Sequence, residues 1–300
     1  MSLLLLLGIS GAAPFSGILD AYGITATAAY SLRKLRAGYS GQCVNIRRSS
    51  DNATSDIGFD ASGNFDQTAF AAFVGGGTGY VVTWYDQSGN GYDVTQATAA
   101  RQPILSPNVY GTKPSITRAG LTDYDWFTAT GTGFGTYNTG NQSVISVAKL
   151  DANTGGYHTV VMPGGYLPGS GFLGQGFMAS TSDFGSYQTN TGGSHTALVT
   201  MANPLLRSAF CLTRSGGTAG NGGTVTQQVR NSSINTSASG TQSWATTAKE
   251  SITIGRLWES ASAGVNAWVG RIEEIILIPS DISSVKSAML GSVNDYWGIW

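Results

Sequence analysis

Apolar and polar positions alternate along this chain in short runs of period two, broken by clusters of Gly, Asn, Ser and Thr. A period of two sends successive side chains to opposite faces of a pleated strand, so each run predicts a strand with one face buried. Strands are predicted at Ala28–Leu35, Cys43–Arg48, Pro103–Leu105, Ser115–Thr117, Trp126–Ala129, Val144–Lys149, Ala197–Met201, Ser208–Arg214 and Thr224–Arg230. Tyr80-Val81-Val82-Thr83-Trp84 is another, rich in β-branched and aromatic residues. It turns sharply through Asp86-Gln87-Ser88-Gly89-Asn90-Gly91, where Asn-Gly tolerates positive φ. Short strands at a spacing of roughly 8–12 residues belong to a sandwich or jelly roll. Phe65, Ala69, Phe70 and Phe73 recur at helical spacing instead and predict a short helix over Asp66–Val74, stopped by Gly75-Gly76-Gly77. No Lys-Ser or Lys-Thr follows that triple Gly, so a phosphate loop is ruled out.

Residues 153–195 are dense in Gly, with Tyr157, Tyr166, Phe172, Phe177, Phe184 and Tyr187 interspersed. Gly216–Gly223 reads as a hairpin loop. Near the end, Ile252-Thr253-Ile254-Gly255-Arg256-Leu257 and Trp268 to Pro279 form two further strands. Ser280-Asp281 then caps an amphipathic helix over Ile282–Trp297, with Val285, Met289 and Val293 on one face. This ending is similar to the last strands of laminin-G and concanavalin-like sandwiches. The expected fold is all-β: a concanavalin A-like β-sandwich (jelly roll) over residues 24–300, with a short C-terminal helix, preceded by an extended N-terminal arm over residues 1–23.

The arm carries Leu3-Leu4-Leu5-Leu6-Leu7. It lacks a basic n-region, and its apolar run is shorter than the roughly 7–15 residues of a signal peptide. It is far too short to span a membrane. An apolar tract of this kind is expected to be a docking element, either on its own domain or, the favoured reading, on a neighbouring subunit as an assembly element, since exposed apolar patches mark interaction sites.

Charged residues are 11% of the 300 and Gly numbers 42, a composition of β-rich extracellular or particle proteins. A net charge of −1 gives no electrostatic case for nucleic acid or for a membrane surface. The basic run Arg33 to Arg36, with Arg47-Arg48, is expected to pair with Asp51 and Asp56. Cys43 and Cys211 form either one disulfide or two buried thiols.

The succession "AYSLRKL…VNIRRSSDNATSDIGF…TWYDQSGNGYDVTQ", over about residues 28–100, resembles the start of the catalytic domain of family 54 α-L-arabinofuranosidases. It is also similar to arabinofuranosidase-like segments of phage and prophage structural proteins. The second likeness implies a virion component: a bacteriophage tail fibre, spike or decoration protein, in a homo-oligomer held to other virion proteins by its arm. Its lectin-like sandwich would attach to host-surface glycans. The first likeness implies the alternative, an α-L-arabinofuranosidase-like glycoside hydrolase.

Retaining hydrolysis needs two carboxyls about 5–5.5 Å apart. The resemblance implies a mid-chain Glu nucleophile and an Asp acid/base just after the Ile-Gly of the penultimate strand. Glu259 stands near the second place. For the first, the partner is missing: residues 151–249 contain no Glu, only Asp151 and Asp183. A solvated loop residue is therefore the favoured reading of Glu259, an enzyme is disfavoured, and Asp183 is the substitute partner only if the chain is a hydrolase. Asp86, Ser88 and Asn90 mimic the first half of a Ca²⁺ loop, but Ala97 stands where the bidentate Glu belongs, and a self-bonded turn is favoured over a cofactor site. His158 and His195 come with no nucleophile-elbow motif. Sugar binding needs an aromatic platform with polar groups nearby, and Trp258, Tyr157 and Tyr166 with Glu259 and Asp183 are the candidates.

Overall fold

The computed structural model describes residues 15–117, 127–130, 134, 140–152, 158–163, 174–177, 182–188, 194–217, 223–242, 250–256 and 268–300. Two layers of antiparallel strands face each other. The smaller runs in the order β1 (Ala28–Ser31), β18 (Gly270–Ile278), β9 (Gln142–Leu150), β14 (Ser208–Ser215), β15 (Gly223–Arg230) and β16 (Asn235–Gln242). The larger runs β13 (Ser194–Thr200), β12 (Asp183–Gln188), β11 (Gly174–Phe177), β10 (His158–Pro163), β17 (Ser251–Ile254), β8 (Phe127–Thr130), β5 (Val94–Thr95), β4 (Gly79–Trp84), β2 (Val44–Arg48) and β3 (Thr54–Ile57). The hairpin of β6 (Ile104–Tyr110) and β7 (Lys113–Thr117) pairs with β4 on one side and β18 on the other, joining the layers into a barrel-like sandwich.

Alternation explains the core. Every second residue of β15 is buried, and the same face of the facing strands supplies aromatics. Phe210 on β14 stacks on Phe184 of β12 with centroids 3.7 Å apart, and Phe177 meets Phe184 edge-on at 4.9 Å. A second centre places Trp84 between Tyr30 at 5.9 Å and Phe127 at 6.3 Å. Both thiols, Cys43 and Cys211, are free and buried, and burial pushes Cys211 up to about 12.

The helices depart from the sequence pattern at their starts. α2 (Gln67–Val74) is capped by Asp66, whose carboxylate accepts from the Ala69 amide. The C-terminal helix, α3 (Lys286–Trp297), begins four residues after the expected Ile282. Asp281 accepts instead from the Ser283 amide at 2.9 Å and its hydroxyl at 2.6 Å, a local turn that competes with helix entry. Met289, Leu290, Val293 and Trp297 of α3 are buried against the outer face of the smaller layer.

Two regions hold more structure than their composition suggests. The Gly-dense stretch contains β10, β11 and β12. A Cβ on Gly176 would meet the His158 carbonyl at 2.6 Å, so the absence of a side chain there is what permits close pairing. Within the expected arm, α1 (Ile18–Ala21) buries Ile18 and Leu19, and the Leu19 amide bonds the Leu35 carbonyl at 3.1 Å. The packed body therefore starts before residue 24. Leu3–Leu7 lie outside the described residues. No helix among the described residues is long and apolar enough to cross a membrane.

Candidate functional site

Strand register gathers chemistry at one end of the larger layer. Phe177 ends β11, Asp183 begins β12, Thr200 ends β13, His158 begins β10 and Ile254 ends β17, all at the same edge. Asp183 is partly exposed and accepts a 2.6 Å hydrogen bond from the Thr200 hydroxyl. The Met201 amide bonds the Ser182 carbonyl at 2.9 Å and extends the β12–β13 ladder one step past Asp183 at its open end. The Gly255 amide bonds Val160, Trp268 bonds Gly255, and Asp151 bonds Val269, each at 2.8 Å. This brings Asp151 to the same end, where it pairs with Lys149 and with Arg271 at 3.2 Å. The two carboxylates of the 151–249 stretch thus share one end of the molecule. Asp151 is paired with two cations, and Asp183 accepts from the Thr200 hydroxyl.

Tyr157, Trp258 and Glu259 lie outside the described residues. The strand ends that lead to them, at His158 and Arg256, belong to this edge. Tyr166 is also outside them, and the strand ends flanking it, Pro163 and Gly174, belong to the opposite edge. Between Asp183 on β12 and the end of β17 stand β11 and β10, three spacings of about 4.8 Å, or roughly 14 Å between backbones. His158 is buried in its strand.

The Tyr80–Asp93 stretch works as a staple. Asp86 is buried, and its carboxylate accepts from the amides of Ala29 (2.8 Å), Ser88 (2.8 Å) and Tyr92 (3.1 Å) and from the Ser88 hydroxyl (2.6 Å). Asn90 turns its amide donor toward the Thr27 carbonyl at 2.9 Å. Gln87 ties the same loop to Ser31, Arg33 and Leu35. The carboxylate of Asp86 and the hydroxyl of Ser88 are engaged with internal donors, and no group of three His, Cys, Asp or Glu among the described residues is placed to hold a metal.

Sequence reasoning missed a buried ionic cluster under α3. A bulge after Ile272 sets both Glu273 and Glu274 out of contact with solvent. Glu274 pairs with Arg33, and Glu273 accepts from the Ser115 hydroxyl at 2.7 Å with Arg207 3.8 Å away. Burial pushes Glu273 up to about 7, against the pull of Arg207 and Ser115. Arg33 is thus spent on Glu274, while Arg48 does pair with Asp51 at 2.7 Å and Asp56 binds Asn45 and Tyr85 instead of an arginine. Two acids inside the apolar run Ile272–Ile278 were the available signal. A groove of about 660 Å³ between α2 and β6 is lined by residues such as Gln67, Phe70, Val74 and Pro107, none of them titratable, so it cannot supply acid–base chemistry.

Comparison with known proteins decides among the readings. The family described as "Alpha-L-arabinofuranosidase B, catalytic" matches residues 17–166, half of the chain. The chain belongs to this family. The match takes in the Asp86 staple and reaches β10, but includes neither Asp183 nor Glu259. An α-L-arabinofuranosidase of Hypocrea jecorina is 31% identical over 198 residues, 62% of this chain and 36% of that protein. A probable α-L-arabinofuranosidase B of Aspergillus fumigatus is 33% identical over 147 residues, 47% of this chain and 28% of its own length. The chain spans about a third of the length of the curated relatives it matches. Among solved structures, a GH54 α-L-arabinofuranosidase soaked with a cyclic sulfate inhibitor superposes with a TM-score of 0.61 at 17% identity, covering 93% of this chain and 63% of that one. An arabinofuranosidase complexed with arabinofuranosyl-α-1,2-xylobiose gives 0.62 at 17%, covering 92% and 64%. At that identity the likeness establishes the fold. The relatives are fungal arabinofuranosidases, which overturns the expected bacteriophage virion protein, its tail-fibre, spike or decoration role and its place in a particle.

Proposed function

We propose that this chain is a glycoside hydrolase that removes α-L-arabinofuranosyl groups, with Glu259 as proton donor and Asp183 as the opposing carboxylate. The observation that carries the reading is the family match over residues 17–166. Asp183 supports it further: it stands at the strand edge toward which β17 runs before Glu259, and Thr200 fixes one of its oxygens. Asp183 and the end of β17, the strand that leads to Glu259, stand three strand spacings apart, roughly 14 Å between backbones. In this scheme the Glu259 carboxyl gives its proton to the glycosidic oxygen as the bond to the anomeric carbon breaks. The Asp183 carboxylate stabilises the positive charge that develops on the sugar, water then adds to the anomeric carbon, and the proton that water loses returns to the Glu259 carboxylate. Trp258 and Tyr157 cover the sugar ring. Asp183 is one methylene shorter than the Glu implied by the family resemblance, so the enzyme is expected to be slow.

The test is release of 4-nitrophenol from 4-nitrophenyl α-L-arabinofuranoside by the full chain, compared with Glu259→Gln and Asp183→Asn. Each variant is expected to lose about 100-fold or more in rate, the usual weight of a positioned acid or base. Absence of release by the unaltered chain, or rates indifferent to both substitutions, would overturn the assignment.

A further inference from the structure

The larger layer carries a second polar and aromatic cluster at its other edge. Thr83 pairs with Thr95, Thr95 with Thr128, and Thr130 with Ser251, so Tyr85 and Asp93 run level with the start of β17. Asp183 lies level with its end. Around Tyr85 and Asp93 stand Tyr39, Asn45, Asp56 and Phe59, all partly or fully accessible. Both tyrosine rings are fixed at their hydroxyls: Tyr39 donates to the Gln42 carbonyl at 2.9 Å and Tyr85 to Asp56 Oδ1 at 2.7 Å. Phe59 braces Tyr39 edge-on at 6.3 Å.

The two carboxylates are each half engaged. Asp56 Oδ1 accepts from Tyr85 and from the Asn45 amide at 2.7 Å, and Asp93 Oδ1 accepts from the Asp86 amide at 2.8 Å. Their second oxygens have no hydrogen-bond partner among the described residues, and neither acid is in an ion pair there. Burial and the neighbouring Asp86 hold Asp93 above the usual carboxylate range, the condition of an acceptor short of donors.

We propose that Tyr39, Tyr85, Asp56 and Asp93 form a second saccharide site, one that holds a neutral sugar chain away from the hydrolytic edge. Immobilised aromatic rings offer apolar faces to the C–H side of a sugar ring, and two unengaged carboxylate oxygens accept from its hydroxyls. Like charge excludes uronic-acid chains. A hard divalent cation would need about six to eight oxygen ligands, and this cluster offers two. The site does not depend on catalysis: a bound polymer backbone keeps the domain on an insoluble substrate while the other edge works, raising the effective concentration.

The experiment is an amide-resolved NMR titration of the full chain with xylotetraose, which has no arabinofuranosyl group to cleave. Saturable millimolar shifts at Tyr39, Tyr85 and Asp93 are expected, and trigalacturonate should produce none. Tyr85→Ala and Asp93→Asn should each weaken binding about fivefold or more, the loss of one such contact, without changing the rate on 4-nitrophenyl α-L-arabinofuranoside. Asp93→Asn keeps the acceptor for the Asp86 amide, so it reads the site even if Tyr85→Ala fails to fold. Silence at these amides, shifts that survive both substitutions, or shifts produced by Ca²⁺ and not by the sugar would overturn the proposal.

Discussion

Arg33 and Glu274 form a buried two-point ion pair, Nε to Oε2 at 2.7 Å and Nη2 to Oε1 at 2.9 Å, under the C-terminal helix. The Ser31 hydroxyl and the Trp297 indole also donate to Oε2, at 2.8 and 3.1 Å. One carboxylate therefore joins β1, β18 and α3. Removing Arg33 would strand a charge whose desolvation the pair now offsets. Arg33→Ala is expected to cost about 3–5 kcal/mol, read as a fall in the urea midpoint. The double change Arg33→Met with Glu274→Leu should recover most of that loss, because an apolar replacement of a buried pair is often neutral. A double variant as unstable as the single one would mean that the cluster stabilises through its net charge attraction.

Glu273, beside it, makes stability depend on pH in the opposite sense to an ordinary paired acid. Its value is raised from 4.5 to about 7, chiefly by burial, so the folded chain holds this proton more tightly than the unfolded chain does. Below 4.5 both states are protonated and the contribution is fully present. As pH rises from 4.5 through about 7 the unfolded chain ionises first, and the contribution is lost. The melting temperature should therefore fall between about pH 5 and about pH 8, with a free-energy change of at most about 3 kcal/mol from this group. Glu273→Gln should flatten most of that slope. Asp93, also raised, shares the sign, so adding Asp93→Asn should flatten the slope further. An unchanged slope in the double variant would refute the assignment.

The sequence made much of the frame legible. Alternating runs placed β2 and β15 within a residue or two, because one face of each meets a continuous apolar core, and β9 and β14 were placed as closely although both of their faces are buried. Phe65, Ala69, Phe70 and Phe73 placed α2 for the same reason at a different period. The strands β10 to β12 were hidden: the glycines of β11 and β12 serve close backbone approach, and β10, which has no Gly, is buried at every position, so none shows an alternation to read. The ionic cluster was hidden too: Arg33 and Glu274 are 241 residues apart, and only the strand order makes them neighbours. Of the candidate site, Asp183 was found by elimination, as one of two acids in a stretch without Glu. The register that brings it to the same edge as the end of β17 is a long-range fact that no local pattern carries.

Asp86 is expected to act through backbone amides and not through a metal. Asp86→Ala leaves the amides of Ala29, Ser88 and Tyr92 without their acceptor, in a loop that joins β1 to β4. Each buried donor so orphaned costs about 1–3 kcal/mol, so the substitution should rank among the most damaging single changes outside the core. Thermal unfolding with and without a chelator provides the control: the melting temperature should not move. A drop on chelation, reversed by Ca²⁺, would instead assign the loop to a cation.

Thr200 gives the sharpest test of whether Asp183 works in catalysis. Its hydroxyl donates to Asp183 Oδ1 at 2.6 Å across the β12–β13 register, and holds one rotamer of a partly exposed carboxylate. Thr200→Val keeps the β-branched shape that suits the strand and removes only the donor. A hydrogen bond to a charged group is worth about 1.5 kcal/mol at the low end, so kcat on 4-nitrophenyl α-L-arabinofuranoside should fall about tenfold. KM should hardly change, because the bond orients a group that acts on the transition state and not on the bound sugar. Thr200→Ser, which restores the hydroxyl, should restore the rate. If instead KM rises with kcat intact, Thr200 and Asp183 contribute to sugar binding alone, and the opposing carboxylate must be sought elsewhere on the same edge, beginning with Asp151.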